Sequence, residues 1–185
     1  MTSKELKKTL AAHLYWHLKY PIVCDEFEFI DIIGVRRTRY VVEFEIKVSK
    51  SDLDREIKCI IADPEKTEKY GKDWEKVCKH KTYLTGERPK TNYDLRLNAL
   101  GIGDSMIGGA FRPNEFYFYV PDYLADYAIK RMAELNLPYG VVKQVNEYPH
   151  YVVMRKAVKL HNEKATPSLY YKLAHALTIR SRLFN

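Results

Sequence analysis

One stretch constrains the fold of this 185-residue chain more than any other: Tyr40-Val41-Val42-Glu43-Phe44-Glu45-Ile46-Lys47-Val48. It alternates with period two. Val42, Phe44, Ile46 and Val48 face one way, and Val41, Glu43, Glu45 and Lys47 the other, as in a strand with one buried face. A second apolar stretch, Phe27 to Val35, precedes it across the basic turn Arg36-Arg37-Thr38-Arg39. Directly opposed residues of an antiparallel pair share a face. A turn with an odd number of residues sets Ile30 and Ile32 beside Val42, Phe44 and Ile46, which makes one continuous apolar face. It also sets Asp31 beside Glu43, Glu45 and Lys47. An even turn would place Asp31 among Phe44 and Ile46, a costly position for a carboxylate. Hydrophobic matching alone therefore predicts that Asp31, Glu45 and Lys47 come together.

The flanking segments complete an α/β pattern. Thr2 and Glu5 form a T-x-x-E capping box, and Leu6, Leu10, His13, Leu14 and His17 share one helical face, so a helix over 2–18 is expected, ended by Pro21. A helix is expected over 49–62, capped by Ser49 or Ser51, with Leu53, Ile57, Ile60 and Ile61 at helical spacing. Residues 63–83 are charged and read as partly helical around Trp74, Val77 and Cys78. Residues 84–113 hold Gly101, Gly103, Gly108 and Gly109 and read as a long loop or lid. Beyond them come a strand at Phe116 to Val120, a helix over 121–135, and short strands at Gly140 to Val145 and Tyr151 to Arg155. A last helix over about 166–183 follows, with Thr166 as its cap and Pro167 at its first position. The expectation is one domain over 1–185, with an insertion at roughly 63–113. Its core is a mixed central sheet flanked by helices.

Charge and cysteine usage narrow the partners. The chain carries 31 Lys+Arg against 24 Asp+Glu, a net charge of +7. From His150 onward there are seven basic residues and one acidic residue. A basic sector of this kind suggests a polyanion, nucleic acid first. Three cysteines, Cys24, Cys59 and Cys78, lack CxxC spacing and read as reduced thiols in a cytoplasmic protein. No apolar run reaches the roughly 20 residues of a membrane helix. The N-terminus has no hydrophobic signal core.

The residues opposite the apolar face carry the chemistry. Asp31, Glu43 and Glu45 on one patch repel one another, and the single ammonium of Lys47 does not neutralise them. A divalent cation would. Oxygen-only ligands favour magnesium or manganese over zinc. Two carboxylates on a metal, with a lysine two residues along, suit phosphodiester cleavage. The metal activates water, and the lysine orients it or stabilises transition-state charge. Spacing alone is not specific, since Glu5-Leu6-Lys7 also reads E-x-K within the first turn of a helix. The context of Glu45-Ile46-Lys47 is what distinguishes it: a strand, a facing Asp and a capped helix directly after.

The run Asp31…Glu45-Ile46-Lys47-Val48-Ser49, then Asp52, Lys79-His80…Tyr83 and Glu115-Phe116-Tyr117-Phe118-Tyr119-Val120-Pro121 resembles the PD-(D/E)xK nuclease superfamily. Within it, the chain is similar to small bacterial and phage members of the MmcB-like DNA-repair type. The resemblance covers most of residues 1–160. It implies a restriction-endonuclease-like core of αβββαβ type. It also implies Asp31 and Glu45 as metal ligands, the backbone carbonyl of Ile46 as a third, and Lys47 as the catalytic amine, with Mg2+ or Mn2+ as cofactor.

Further candidates follow with their plainer alternatives. Glu5 matches the extra first-helix acid of many such nucleases, while its capping box already accounts for it. Glu43 is an outer ligand or a solvated rim acid. His80, with Lys79, Lys81 and Tyr83, stands where the superfamily places DNA-contacting or water-positioning groups, or on a charged helix surface. His13 and His17 read as packing histidines on the core face. Arg155, Lys172, Arg180 and Arg182 of the basic tail would track a phosphate backbone. Tyr117, Tyr119, Tyr123 and Tyr127 suit base stacking or, more commonly, packing. The expected function is a magnesium-dependent endonuclease acting on DNA, or alternatively RNA, in repair, recombination or phage DNA processing. It would work in the cytoplasm of a bacterial or phage-infected cell, away from membranes, and as a homodimer in many relatives. Two alternatives stand beside it: a silent nucleic-acid-binding adaptor on the same fold, and a phage protein that targets a host machine by protein contact.

Overall fold

The computed structural model of the chain describes residues 2–27, 30–63, 73–87, 112–147 and 150–183. Among them are five helices and a six-stranded open sheet. In chain order these are α1 (Ser3–Trp16), β1 (Ile22–Phe27), β2 (Ile30–Val35), β3 (Val41–Ile46), α2 (Lys50–Ile61), α3 (Trp74–Thr85), β4 (Glu115–Val120), α4 (Asp122–Glu134), β5 (Gly140–Gln144), β6 (Tyr151–Arg155) and α5 (Pro167–Leu183). The sheet order is β1-β2-β3-β4-β5-β6. β1, β2 and β3 form an antiparallel meander, β4 and β5 run parallel to β3, and β6 closes the sheet antiparallel to β5. The mixed sheet and the order α1-β1-β2-β3-α2, with β4 returning parallel beside β3, agree with the expected α/β core.

The chain divides into two compact units, 1–53 with 113–185, and 54–112. In the first unit, α1 starts at the expected box: the Glu5 amide donates to Thr2 Oγ1 and the Thr2 amide to Glu5 Oε2. It ends two residues earlier than the periodicity suggests, and Lys19 turns the chain through a left-handed conformation before Pro21. Leu6, Leu10 and Leu14 of α1 pack with Ile32, Val42, Phe44, Ile46, Tyr117, Tyr119 and Val142 on one face of the sheet. Truncating any one of the three leucines to Ala should cost about 2–5 kcal/mol. On the other face Phe116, Phe118 and Tyr139 form an aromatic cluster. α4 packs on β4 and β5 and buries Leu124, Ala125, Ala128 and Met132.

The β2–β3 register pairs Ile32 with Phe44, Ile33 with Glu43 and Val35 with Val41. Five residues separate the last pair, so the turn is odd, and Ile32 joins Val42 and Phe44 in the core as hydrophobic matching required. One expectation is corrected. Phe27 to Val35 is not one strand: β1 ends at Phe27, which pairs with Ile30 at the start of β2. The connection Glu28-Phe29 carries no Asn, Asp or Gly, the usual hairpin signal, so the segment reads as continuous.

In the second unit, α3 ends at Gly86, which takes the left-handed conformation (φ 82°) and donates its amide to the Thr82 carbonyl. Glu56 of α2 is fully buried; its carboxylate holds His80 Nε2 at 2.8 Å and Lys76 Nζ at 2.6 Å. The glycines at 101, 103, 108 and 109, and the loop or lid expected around them, lie outside the described residues.

Candidate active site

The pairing of β2 with β3 runs from Val35–Val41 to Ile32–Phe44 and stops there. Beyond it β3 stays on β4, because the Lys47 amide donates to the Tyr119 carbonyl at 3.1 Å. Amides alternate in direction along a strand, so the Ile46 amide faces β2. Its partner is not a backbone carbonyl. Asp31 Oδ2 accepts it at 2.8 Å. A buried amide left without an acceptor would cost about 1–3 kcal/mol, so this bond holds the opened end of the strand pair together.

The second Asp31 oxygen, Oδ1, lies 2.7 Å from Lys7 Nζ, which also reaches Glu26 Oε1 at 3.2 Å. Partial burial pulls the Lys7 pKa down; the bonds and charge of Asp31, then of Glu26, outweigh it and leave it raised. On β3, alternation places Glu45 and Lys47 on the same side. Lys47 Nζ lies 3.0 Å from Glu45 Oε1 and 3.8 Å from Asp52 Oδ1. Ser49 Oγ, accepting the Asp52 amide, caps the start of α2 and places Asp52 there. The Glu45 and Lys47 side chains are only 6% and 4% exposed, against 21% for Asp31 and 42% for Asp52. The ion pairs fall into two sets, Lys7 with Asp31 and Glu26, and Lys47 with Glu45 and Asp52, and the bond from the Ile46 amide to Asp31 links them through the backbone.

This donor set bears on a metal. No group of three or more His, Cys, Asp and Glu able to hold an ion occurs among the described residues. The described residues therefore offer no closed zinc cage. Magnesium asks less of a protein: one or two carboxylates, with waters and substrate phosphate filling the remaining positions. Asp31 and Glu45 are carboxylates of the kind magnesium takes, and each already has an ammonium partner, Lys7 for Asp31 Oδ1 and Lys47 for Glu45 Oε1.

Other expected residues sit differently. Glu5 is exposed and engaged in the capping box; bonds from the Thr2 backbone and then its hydroxyl hold its pKa below the usual carboxylate range. Glu43 is not a solvated rim acid. It is fully buried, opposite Ile33 and Phe116. His80 and Tyr83 are buried too, so neither belongs to a charged helix surface open to DNA. Lys79 is half-buried, with its ammonium 5.9 Å from the Tyr83 ring, and Lys81 is exposed. Arg155 is half-buried and donates to the Leu137 carbonyl at 2.8 Å, a packing role that withdraws it from an exposed phosphate track. Lys172 is exposed on α5; the side chains of Arg180 and Arg182 lie outside what is described. His13 is buried against Tyr151 as a packing histidine, but His17 is exposed and stacks on it from outside the core. Burial, then the charges of His17 and His150, lowers the His13 pKa.

Sequence reasoning missed Lys7 and Asn114. Lys7 follows Leu6 on α1 and gave no signal beyond a helix-surface lysine. Asn114 binds both backbone groups of Val41 and the carbonyls of His161 and Glu163. Its position between Pro113 and β4 marked only a strand start.

No protein-family model matches the sequence, and no curated protein matches it. Among solved structures the chain is similar to the SPO1766 protein of unknown function from Silicibacter pomeroyi. The likeness is at 15% identity and a TM-score of 0.54, and it covers 100% of this chain and 92% of that one. It supports the fold and carries no activity with it.

Proposed function

We propose that the protein is a metal-dependent nuclease that hydrolyses phosphodiester bonds, with DNA as the preferred substrate. The observation that carries this reading is the opened end of β2 and β3. There, the Asp31 carboxylate holds the Ile46 amide, and the flanking residues Glu45 and Lys47 carry the other two members of the predicted Asp31…Glu45-x-Lys47 set. Asp31 and Glu45 would hold magnesium or manganese, with the Ile46 carbonyl as a third ligand. The ion supplies polarisation of a phosphate oxygen and a water acidic enough to attack it.

The chain's own groups do the rest. The bond from the Ile46 amide to Asp31 fixes the backbone between the two carboxylates. Glu45 and Asp52 hold the Lys47 ammonium between them, where it can stabilise the charge that develops on the phosphate. Cys24, Cys59 and Cys78 are buried and in no disulfide, which fits a reducing compartment such as the cytoplasm of a bacterial or phage-infected cell. No helix among the described residues is long and apolar enough to cross a membrane.

Labelled DNA and RNA forms incubated with magnesium or manganese test the reading. Wild type should cut at least one, and Lys47→Ala should lower the rate on the order of 10³-fold when assayed at a temperature where circular dichroism shows it folded, since it leaves Glu45 buried without its cation. Failure of the wild type to cut every form sinks the enzymatic reading. The near-complete burial of Glu45 and Lys47 favours a second reading, a silent nucleic-acid-binding or protein-binding adaptor. Manganese separates the two: an adaptor gains no thermal stability from it, whereas a metal enzyme does.

A further inference from the structure

Tyr123, the second residue of α4, is 73% exposed. Its hydroxyl is nevertheless engaged, donating to the Val48 carbonyl at 2.6 Å. Val48 follows Lys47 directly in the chain. The ring is therefore tethered at its polar tip, one residue from the site, while most of its surface stays in water. Tyr117 and Tyr119, by contrast, are buried in the core.

A tethered ring has already lost part of the rotamer freedom that a binding partner would otherwise have to freeze, so stacking on it is less costly. One helical turn along α4, at i+4 and on the same side, stands Tyr127. The Lys50 ammonium lies 5.0 Å from the Tyr127 ring centroid. Lys50 opens α2, three residues after Lys47. Tyr123 is thus bonded to the residue next to the candidate catalytic lysine, and Lys50 stands three positions after that lysine.

We propose that Tyr123 is the stacking platform for an unpaired base, that Lys50 meets a neighbouring phosphate, and that the substrate class is single-stranded or frayed nucleic acid. The inference rests on the nuclease reading and narrows it. Bases inside a duplex have both faces covered by their neighbours, so only an unpaired or extruded base can lie on such a ring.

Fluorescence anisotropy tests it, with three labelled probes in a chelator so that nothing is cut: a thymidine 12-mer, an abasic 12-mer of equal length, and a blunt hairpin duplex. Wild type should bind the thymidine strand tightest. Tyr123→Ala should weaken that binding about 10-fold and leave the abasic strand unchanged, as expected for one stacked base. Tyr123→Trp should retain the preference, which guards against a variant that merely misfolds. Lys50→Gln should weaken both single strands alike and reduce the slope of log affinity on log salt by about 0.7.

Equal weakening of thymidine and abasic strands by Tyr123→Ala overturns the proposal, as does tighter binding of the duplex or no binding of any probe. Cleavage is read separately. A wild type that cuts while Tyr123→Ala binds normally loses only the stacking role, and a wild type that stacks without cutting loses only the nuclease reading.

Discussion

The two ends of β3 use charge in opposite ways. At its N-terminal end Arg36 makes a bidentate pair with Glu115, at 2.9 and 2.8 Å, and its Nε donates to the Tyr20 hydroxyl. The Tyr117 hydroxyl donates to the same carboxylate, and burial, then the charge of Glu115, pushes that phenol up to about 12. Beside them Asn114 joins the strand to the segment around His161 and Glu163. Here one acid meets one base, with planar geometry on both. At the C-terminal end each lysine is divided between two carboxylates, and one of the Lys47 contacts is a loose 3.8 Å. Matched, bidentate charge fastens strands. A lysine shared between two carboxylates makes looser contacts and fastens strands less well.

This contrast breaks most directly by substitution at both ends. Replacing Glu45 by Gln together with Lys47 by Met should abolish cleavage while leaving the urea midpoint unchanged or higher. Isosteric replacement of a buried pair is often neutral or stabilising. A loss of stability in that variant would make the C-terminal end structural and erase the distinction. Arg36→Met should instead lower stability by about 3 kcal/mol in urea titration, because Glu115 is left largely buried without its cation. Asn114→Ala should cost about 2 kcal/mol by the same measurement, since the Val41 amide loses its acceptor.

Smaller effects sharpen the picture. Lys7→Met frees Asp31 Oδ1 of its ammonium, so manganese should bind several-fold tighter in calorimetry; weaker binding would mean that Lys7 orders the site rather than competing for it. The smallest effect concerns pH. The Glu5 pKa is depressed, so its contribution to α1 is present above about 4.5 and fades as pH falls through the folded value. Protection of the first turn of α1 against hydrogen exchange, taken relative to the intrinsic rate at each pH, should fall on acidification, and Glu5→Gln should remove that dependence.

The part of the site legible in the sequence is the part that alternation and hydrophobic matching govern. Val42, Phe44 and Ile46 need a core, and Ile32 must meet them, which the Ile32–Phe44 register bears out. The Thr2–Glu5 box and the Ser49 and Thr166 caps were likewise legible, because a cap is a local bond between residues three apart. The β1–β2 hairpin was not, since Glu28-Phe29 imitates a continuing strand. Of the two readings of Glu43, outer ligand or solvated rim acid, burial removes the second, because period two gives the face of a residue and says nothing about what covers that face.

By itself the sequence determined which residues share a face and where helices begin, because these follow from backbone periodicity and from bonds within a turn. Tertiary structure alone decided the pairings: Lys7 with Asp31, Asp31 with the Ile46 amide, Arg36 with Glu115, Tyr123 with Val48. Each joins residues at least 15 positions apart. Long charged and aromatic side chains have several rotamers within reach of several partners, and only the packed backbone selects one.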